Sequence, residues 1–158
     1  MLKWPLPTTG FLLAACSTEG KVTALTGGTP LPAARTWALG VQGCGQASQC
    51  EDIRSSLVGR LVGAGMAERV VTGNQPHDVT LEVRIERTRT VSGAERVFFG
   101  ALAGRNEVVS TDRLLDRSGT VLWSFKVESA STAHPFSGES GASDAYRQFA
   151  TDTVSALR

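Results

Sequence analysis

The clearest pattern along the chain is a strict alternation over residues 78–89. Val79, Leu81, Val83 and Ile85 fall on one side, Thr80, Glu82, Arg84 and Glu86 on the other. Period two marks a strand with one buried and one wet face. Trp37, Leu39 and Val41 alternate with Ala38 and Gly40, which predicts a first strand over 35–42. The period then changes: Ile53, Leu57, Leu61 and Ala64 recur on one face of a helix. Ser48 and Glu51 read as a capping box at its start. Gly65 reads as its left-handed stop, with Met66 folding back onto the last turn. Strands follow over 69–72 and 107–116, the second closed by the turn Asp116-Arg117-Ser118-Gly119. Val121, Trp123, Phe125 and Val127 alternate in a last strand. After a polar loop, Ser143 and Asp144 open a final helix with Tyr146, Phe149, Ala150, Thr153 and Leu157 on its inner face.

The element order is β-α-β-β-β-β-α. It predicts an α+β fold, with a mixed, mostly antiparallel sheet of about five strands and two helices packed on one face. Residues 35–158 form this single domain. The other sheet face, with Thr80, Glu82, Arg84 and Glu86, is left for solvent or a polar partner.

Composition narrows the function classes. Of 158 residues 41% are hydrophobic and 20% charged, too apolar for a disordered chain. A net charge of +1 supplies no basic field, so nucleic acid is not an expected partner. No uninterrupted apolar run reaches the length of a membrane-spanning helix. Residues 17–34 are rich in Thr, Gly and Pro and lack periodicity, so 16–34 is expected to be a flexible tether.

Residues 1–15 have the plan of a secretory signal peptide: Lys3 near the start, an apolar stretch, then small residues. Leu13-Ala14-Ala15-Cys16 resembles the bacterial lipobox. The resemblance implies cleavage before Cys16 and a diacylglyceryl and acyl lipid, such as palmitate, on its thiol. The membrane is then a partner through that anchor, and no other cofactor is expected. In a Gram-negative cell, Ser17, where Asp commonly signals inner-membrane retention, implies an outer-membrane address facing the periplasm.

Two further cysteines remain. Export to an oxidising compartment makes Cys44 and Cys50 a candidate disulfide. Their spacing is not a zinc knuckle, and Cys-x-x-Cys is absent. A free thiolate at Cys50, in the first turn of the helix, stays open as the alternative.

Between the third and fourth strands, Arg96, Val97-Phe98-Phe99, Gly100, Ala103, Gly104 and Glu107-Val108 follow a basic, apolar-triplet, Gly/Ala-rich, Glu-Val order. This resembles the loop of the small bacterial lipoproteins grouped as domain of unknown function 4410. The resemblance runs in order over about 35–158 and implies a secreted, lipid-anchored domain. Phe98 and Phe99 read either as core rings with glycines allowing tight backbone packing, or as an apolar tip for a partner or membrane.

Catalytic signatures are sparse. His77 and His134 sit beside prolines without a spaced partner, and no metal site is expected. Glu82 and Glu86 read as solvated ion pairs with Arg84, Arg87 and Arg89. The expected function is that of a non-catalytic, lipid-anchored envelope lipoprotein acting by contacts with an unidentified envelope protein. An auxiliary lipoprotein of an ABC- or MCE-type lipid transport system is the alternative. A small periplasmic hydrolase using His134 and a serine is the third reading.

Overall fold

Alternation in the sequence becomes a sheet in the computed structural model, which describes residues 18–26, 31, 34–91, 95, 104–131 and 141–158. The strands are β1 (Thr18–Thr26), β2 (Thr36–Gln42), β3 (Arg69–Val71), β4 (Val79–Arg89), β5 (Asn106–Asp116) and β6 (Val121–Ser131). The helices are α1 (Ala47–Gly63), between β2 and β3, and α2 (Gly141–Ala156), after β6. The fold is α+β, and β2 to α2 follow the expected order. Strands lie side by side as β1-β6-β5-β4-β2-β3. Pairing is antiparallel except for β2 with β3 and β2 with β4, which are parallel.

Both helices cover one face. Val79, Leu81, Val83 and Ile85 are buried there with Trp37, Leu39 and Val41 from β2. Ile53, Leu57 and Leu61 of α1 are fully buried against them, as the helical spacing requires. The last turn of α1 closes as a Schellman motif: Met66 N–H donates to Leu61 O, Gly65 N–H to Val62 O, and Gly65 has φ +70°. The opposite face carries ion pairs. Arg113 meets Glu82 at 2.6 Å, and Lys126 meets Glu128 at 3.2 Å and Glu86 at 3.8 Å. Glu82 and Glu86 therefore pair across strands rather than with Arg84 on their own strand. Glu82 lies directly opposite Arg113 of β5, whereas Lys126 reaches Glu86 from β6, across the intervening β5.

Three expectations need correction. The sheet has six strands rather than about five, and the added strand lies inside the expected tether. β1 pairs with β6 from Thr18 opposite Ser131 to Thr26 opposite Ser124. Its side chains bury little, since Val22 and Leu25 are 41% and 53% exposed. The backbone ladder holds it, so it leaves no hydrophobic period to read. The capping box does not form either. Gln46 is the N-cap, in extended conformation and without a side-chain cap bond. The helix starts before Ser48, so Ser48 lies inside its first turn.

Candidate functional site

Strand directions gather the chemistry-bearing segments at one end of the sheet. Thr18 of β1 and Asn106 of β5 both lie opposite Ser131, the last residue of β6. Arg89, the last residue of β4, lies opposite Glu107. Gln42 closes β2 alongside Arg84. The first turns of α1 and α2, which follow β2 and β6, begin at that same end.

There the Gly43–Cys50 corner is held tightly. Gly43 has φ +84°, and a Cβ on it would run into the Ile85 carbonyl, so only glycine fits. Cys44 and Cys50 are joined by a disulfide, with Cα atoms 5.6 Å apart. Gln49 Oε1 accepts from the Gly45 N–H at 3.0 Å. Its amide nitrogen donates to Thr88 Oγ1 at 3.0 Å and to the Tyr146 hydroxyl at 3.2 Å. These groups, with Gln46, Ser48, Thr90, Ser143 and the carboxylate of Asp52, line an open cleft of about 420 Å³. Beside that carboxylate the cleft offers hydroxyls and amides that can donate and accept hydrogen bonds. At the edge of the same end, the buried Asn106 accepts the Val91 N–H at 2.7 Å through Oδ1. Gly104 has φ +90°, and a Cβ there would press on the Arg89 guanidinium.

Leu13, Ala14, Ala15, Cys16, Ser17, Arg96, Phe98, Phe99 and Gly100 lie outside the described residues, as does His134. Of the family-like loop, Gly104 is described and lies at the gathered end. His77 serves the far end: its ring nitrogens bond Gln75 O and Thr80 Oγ1. Beside it, Asp78 accepts the Arg35 and Thr36 N–H groups and Arg117. Those backbone donors, Thr36 first, hold its carboxyl below the usual carboxylate value. Asp116, likewise lowered chiefly by Ser118 and then Thr120, fixes the β5–β6 hairpin. Among the described residues, no three His, Cys, Asp or Glu side chains gather as metal ligands.

Sequence reasoning missed one group. Asp112 of β5 is fully buried beneath α2. Burial pushes its carboxyl up to about 7, against a smaller pull from the neighbouring Ser110 and Thr153 hydroxyls. Thr153 Oγ1 donates to Asp112 Oδ2 at 3.4 Å, while Asp112 Oδ1, Ser110 Oγ and Ser131 Oγ have no partner in hydrogen-bonding geometry. A signal existed: Asp112 stands in the same alternating register as Val108 and Leu114, both buried.

The fold has solved counterparts. The PelC dodecamer from Paraburkholderia phytofirmans matches with a TM-score of 0.59 and 19% identity, over 85% of this chain and 96% of that one. A point variant of the same dodecamer matches with 0.61 and 20%, over 85% and 94%. A Xanthomonas campestris protein of the DUF330 family model matches with 0.52 and 11%, over 81% and 83%. At these identities the likeness concerns the fold. No curated protein matches the chain in sequence. The family model described as domain of unknown function (DUF4410) matches residues 45–135, more than half of the chain and all of the sheet between α1 and β6, and the chain belongs to that family.

Proposed function

We propose that this protein is a lipid-anchored envelope lipoprotein that works through protein contacts, in part with copies of itself. The observation that carries the reading is the lipobox-like Leu13-Ala14-Ala15-Cys16 directly ahead of a strand that opens the folded domain. Small residues at 14 and 15 let a peptidase approach the backbone, and the Cys16 thiol is the nucleophile that takes the lipid. Two or three acyl chains make such anchoring stable. Signal cleavage would leave Cys16 as the first residue, Ser17 would direct outer-membrane sorting, and the oxidising periplasm would keep Cys44 and Cys50 paired.

Two features support protein contact as the mode of action. The charged sheet face presents Glu82, Arg84, Arg113, Lys126 and Glu128 to a polar partner. The nine-residue β1 ends the sheet, with one side of its ladder unpaired among the described strands and with Val22 and Leu25 exposed beside it. Such an edge is a template for another chain, and the PelC proteins of similar fold are dodecamers.

The test is in-cell crosslinking, followed by purification from membranes beside a Cys16→Ser protein. A defined complex from the wild type, absent with Cys16→Ser, supports the anchored reading and names the partner. Two forms that purify alone, soluble and without lipid, refute it. Phospholipid held in the purified protein would favour the lipid-transport reading instead.

A further inference from the structure

We infer that the end of the sheet where β1 begins is the bilayer-facing surface of the domain, seated on the lipid headgroups. This rests on the lipoprotein reading of Cys16. Only Ser17 separates Cys16 from Thr18, the first residue of β1. Two extended residues span at most about 7 Å. A free Gly/Ser-like tether over 16–34 would instead reach roughly 24 Å. The difference decides the geometry, because β1 is a member of the sheet. Its ladder to β6 starts at Thr18 itself, so the anchor is fastened to the folded domain with almost no slack.

Strand directions then fix which groups face the membrane. The ends of β2, β4 and β6, the start of β5 and the first turns of α1 and α2 lie on the anchor side. Gln46 and Thr90 are exposed there. The β5–β6 hairpin, Val121, Trp37 and Trp123 lie towards the other end. The eleven residues of β6 put about 33 Å between the two ends. The protein therefore stands on its anchor end, with its charged sheet face turned sideways and open to neighbours.

The experiment uses the full chain purified from membranes with its lipid. It is reconstituted in phosphatidylethanolamine–phosphatidylglycerol vesicles that contain a headgroup nitroxide lipid, which quenches nearby tryptophan. Thr90→Trp and Gln46→Trp place reporters at the anchor end, and Val121→Trp places one at the far end. Thermal melts check that each variant folds. The expected result is loss of the added emission for Thr90→Trp and Gln46→Trp, with Val121→Trp and the native tryptophans unaffected. Inserting about twelve Gly/Ser residues between Ser17 and Thr18, a span of roughly 20 Å, should restore the emission while the protein still floats with vesicles. Equal quenching at both ends, or quenching of Val121→Trp alone, in protein whose Cys16 is acylated by mass spectrometry, overturns the inference and leaves the anchor intact. Absence of acyl on Cys16 removes the anchor reading and this inference with it.

Discussion

α1 and α2 lie on the same sheet face over different floors. Beneath α1, Trp37, Leu39, Val41 and Leu81 meet Ile53, Leu57 and Leu61, and the contact is dry and apolar. Beneath α2, the apolar Phe149, Val154 and Leu157 share the interface with Ser110, Asp112, Ser129, Ser131 and Thr153, all buried. Asp152 of α2 accepts the Ser129 hydroxyl and the Gln148 amide. Burial of apolar surface favours the folded state without regard to orientation. A buried polar group favours it only when its partners are in place, and three atoms on the α2 floor lack them. The α1 side thus holds by apolar burial, whereas the α2 side adds to its own apolar burial a set of polar groups whose contribution depends on their partners and protonation.

Truncation on the dry side should cost most. Leu57→Ala removes a fully buried side chain from the α1 floor and is expected to cost about 2–5 kcal/mol. Denaturant unfolding measures it, and a loss below about 1 kcal/mol would erase the contrast between the two floors.

Protonation should act on the other side. The folded pKa of Asp112 is raised from 3.8 to about 7, so the folded state holds the proton more tightly than the unfolded chain. Its contribution is complete below about pH 4 and is lost as pH rises towards 7. Asp78 and Asp116 are shifted downward, so their contribution is lost only at acid below the usual carboxylate range. Unfolding free energy measured from pH 4 to 8 should therefore fall across pH 4–7 in the wild type, and this fall should vanish in Asp112→Asn. An identical slope in both would show that Asp112 ionises freely.

The third expected effect is smaller. A Cβ on Gly20 of β1 would land on the Asp152 carboxylate. Gly20→Ala should cost about 1–2 kcal/mol through overpacking and loosen β1. The loss should be smaller when the same change is made in an Asp152→Ala background. Hydrogen exchange of the β1 amides and a double-mutant cycle report both, and additive effects would mean that the two residues do not meet.

The smallest effect belongs to the wet face. Glu82 and Arg113 are paired but half-exposed, and exposed pairs contribute little. A cycle over Glu82→Ala and Arg113→Ala should return a coupling below about 1 kcal/mol that shrinks with salt.

The same contrast explains what could be read from the sequence. β4 and α1 write their burial into a period: Val79, Leu81, Val83, Ile85, Ile53, Leu57 and Leu61 are buried, and only Ala64, at the C-cap of α1, is partly exposed. For α2 the inner face is equally plain, with Tyr146, Phe149, Ala150, Thr153 and Leu157 all inside. β1 is invisible because its side towards α2 includes Gly20 and Ala24, its larger apolar residues Val22 and Leu25 stay exposed, and its stabilisation is backbone pairing. Asp112 is hidden by its company: its register reads Asn106, Val108, Ser110, Asp112, Leu114, too polar to mark a buried face until the helix above it is placed. The gathering of the β1 start, the disulfide corner and both helix starts at one end is a product of topology. It depends on strand directions that no local pattern states.

The central claim is that Cys16 carries the lipid that holds this domain at the membrane. The direct measurement is mass spectrometry of the N-terminal peptide from protein extracted from the native envelope. The account predicts a peptide that begins at Cys16 and carries diacylglyceryl and acyl mass. A peptide that retains residues 1–15, or begins at Cys16 with a free thiol, would contradict it.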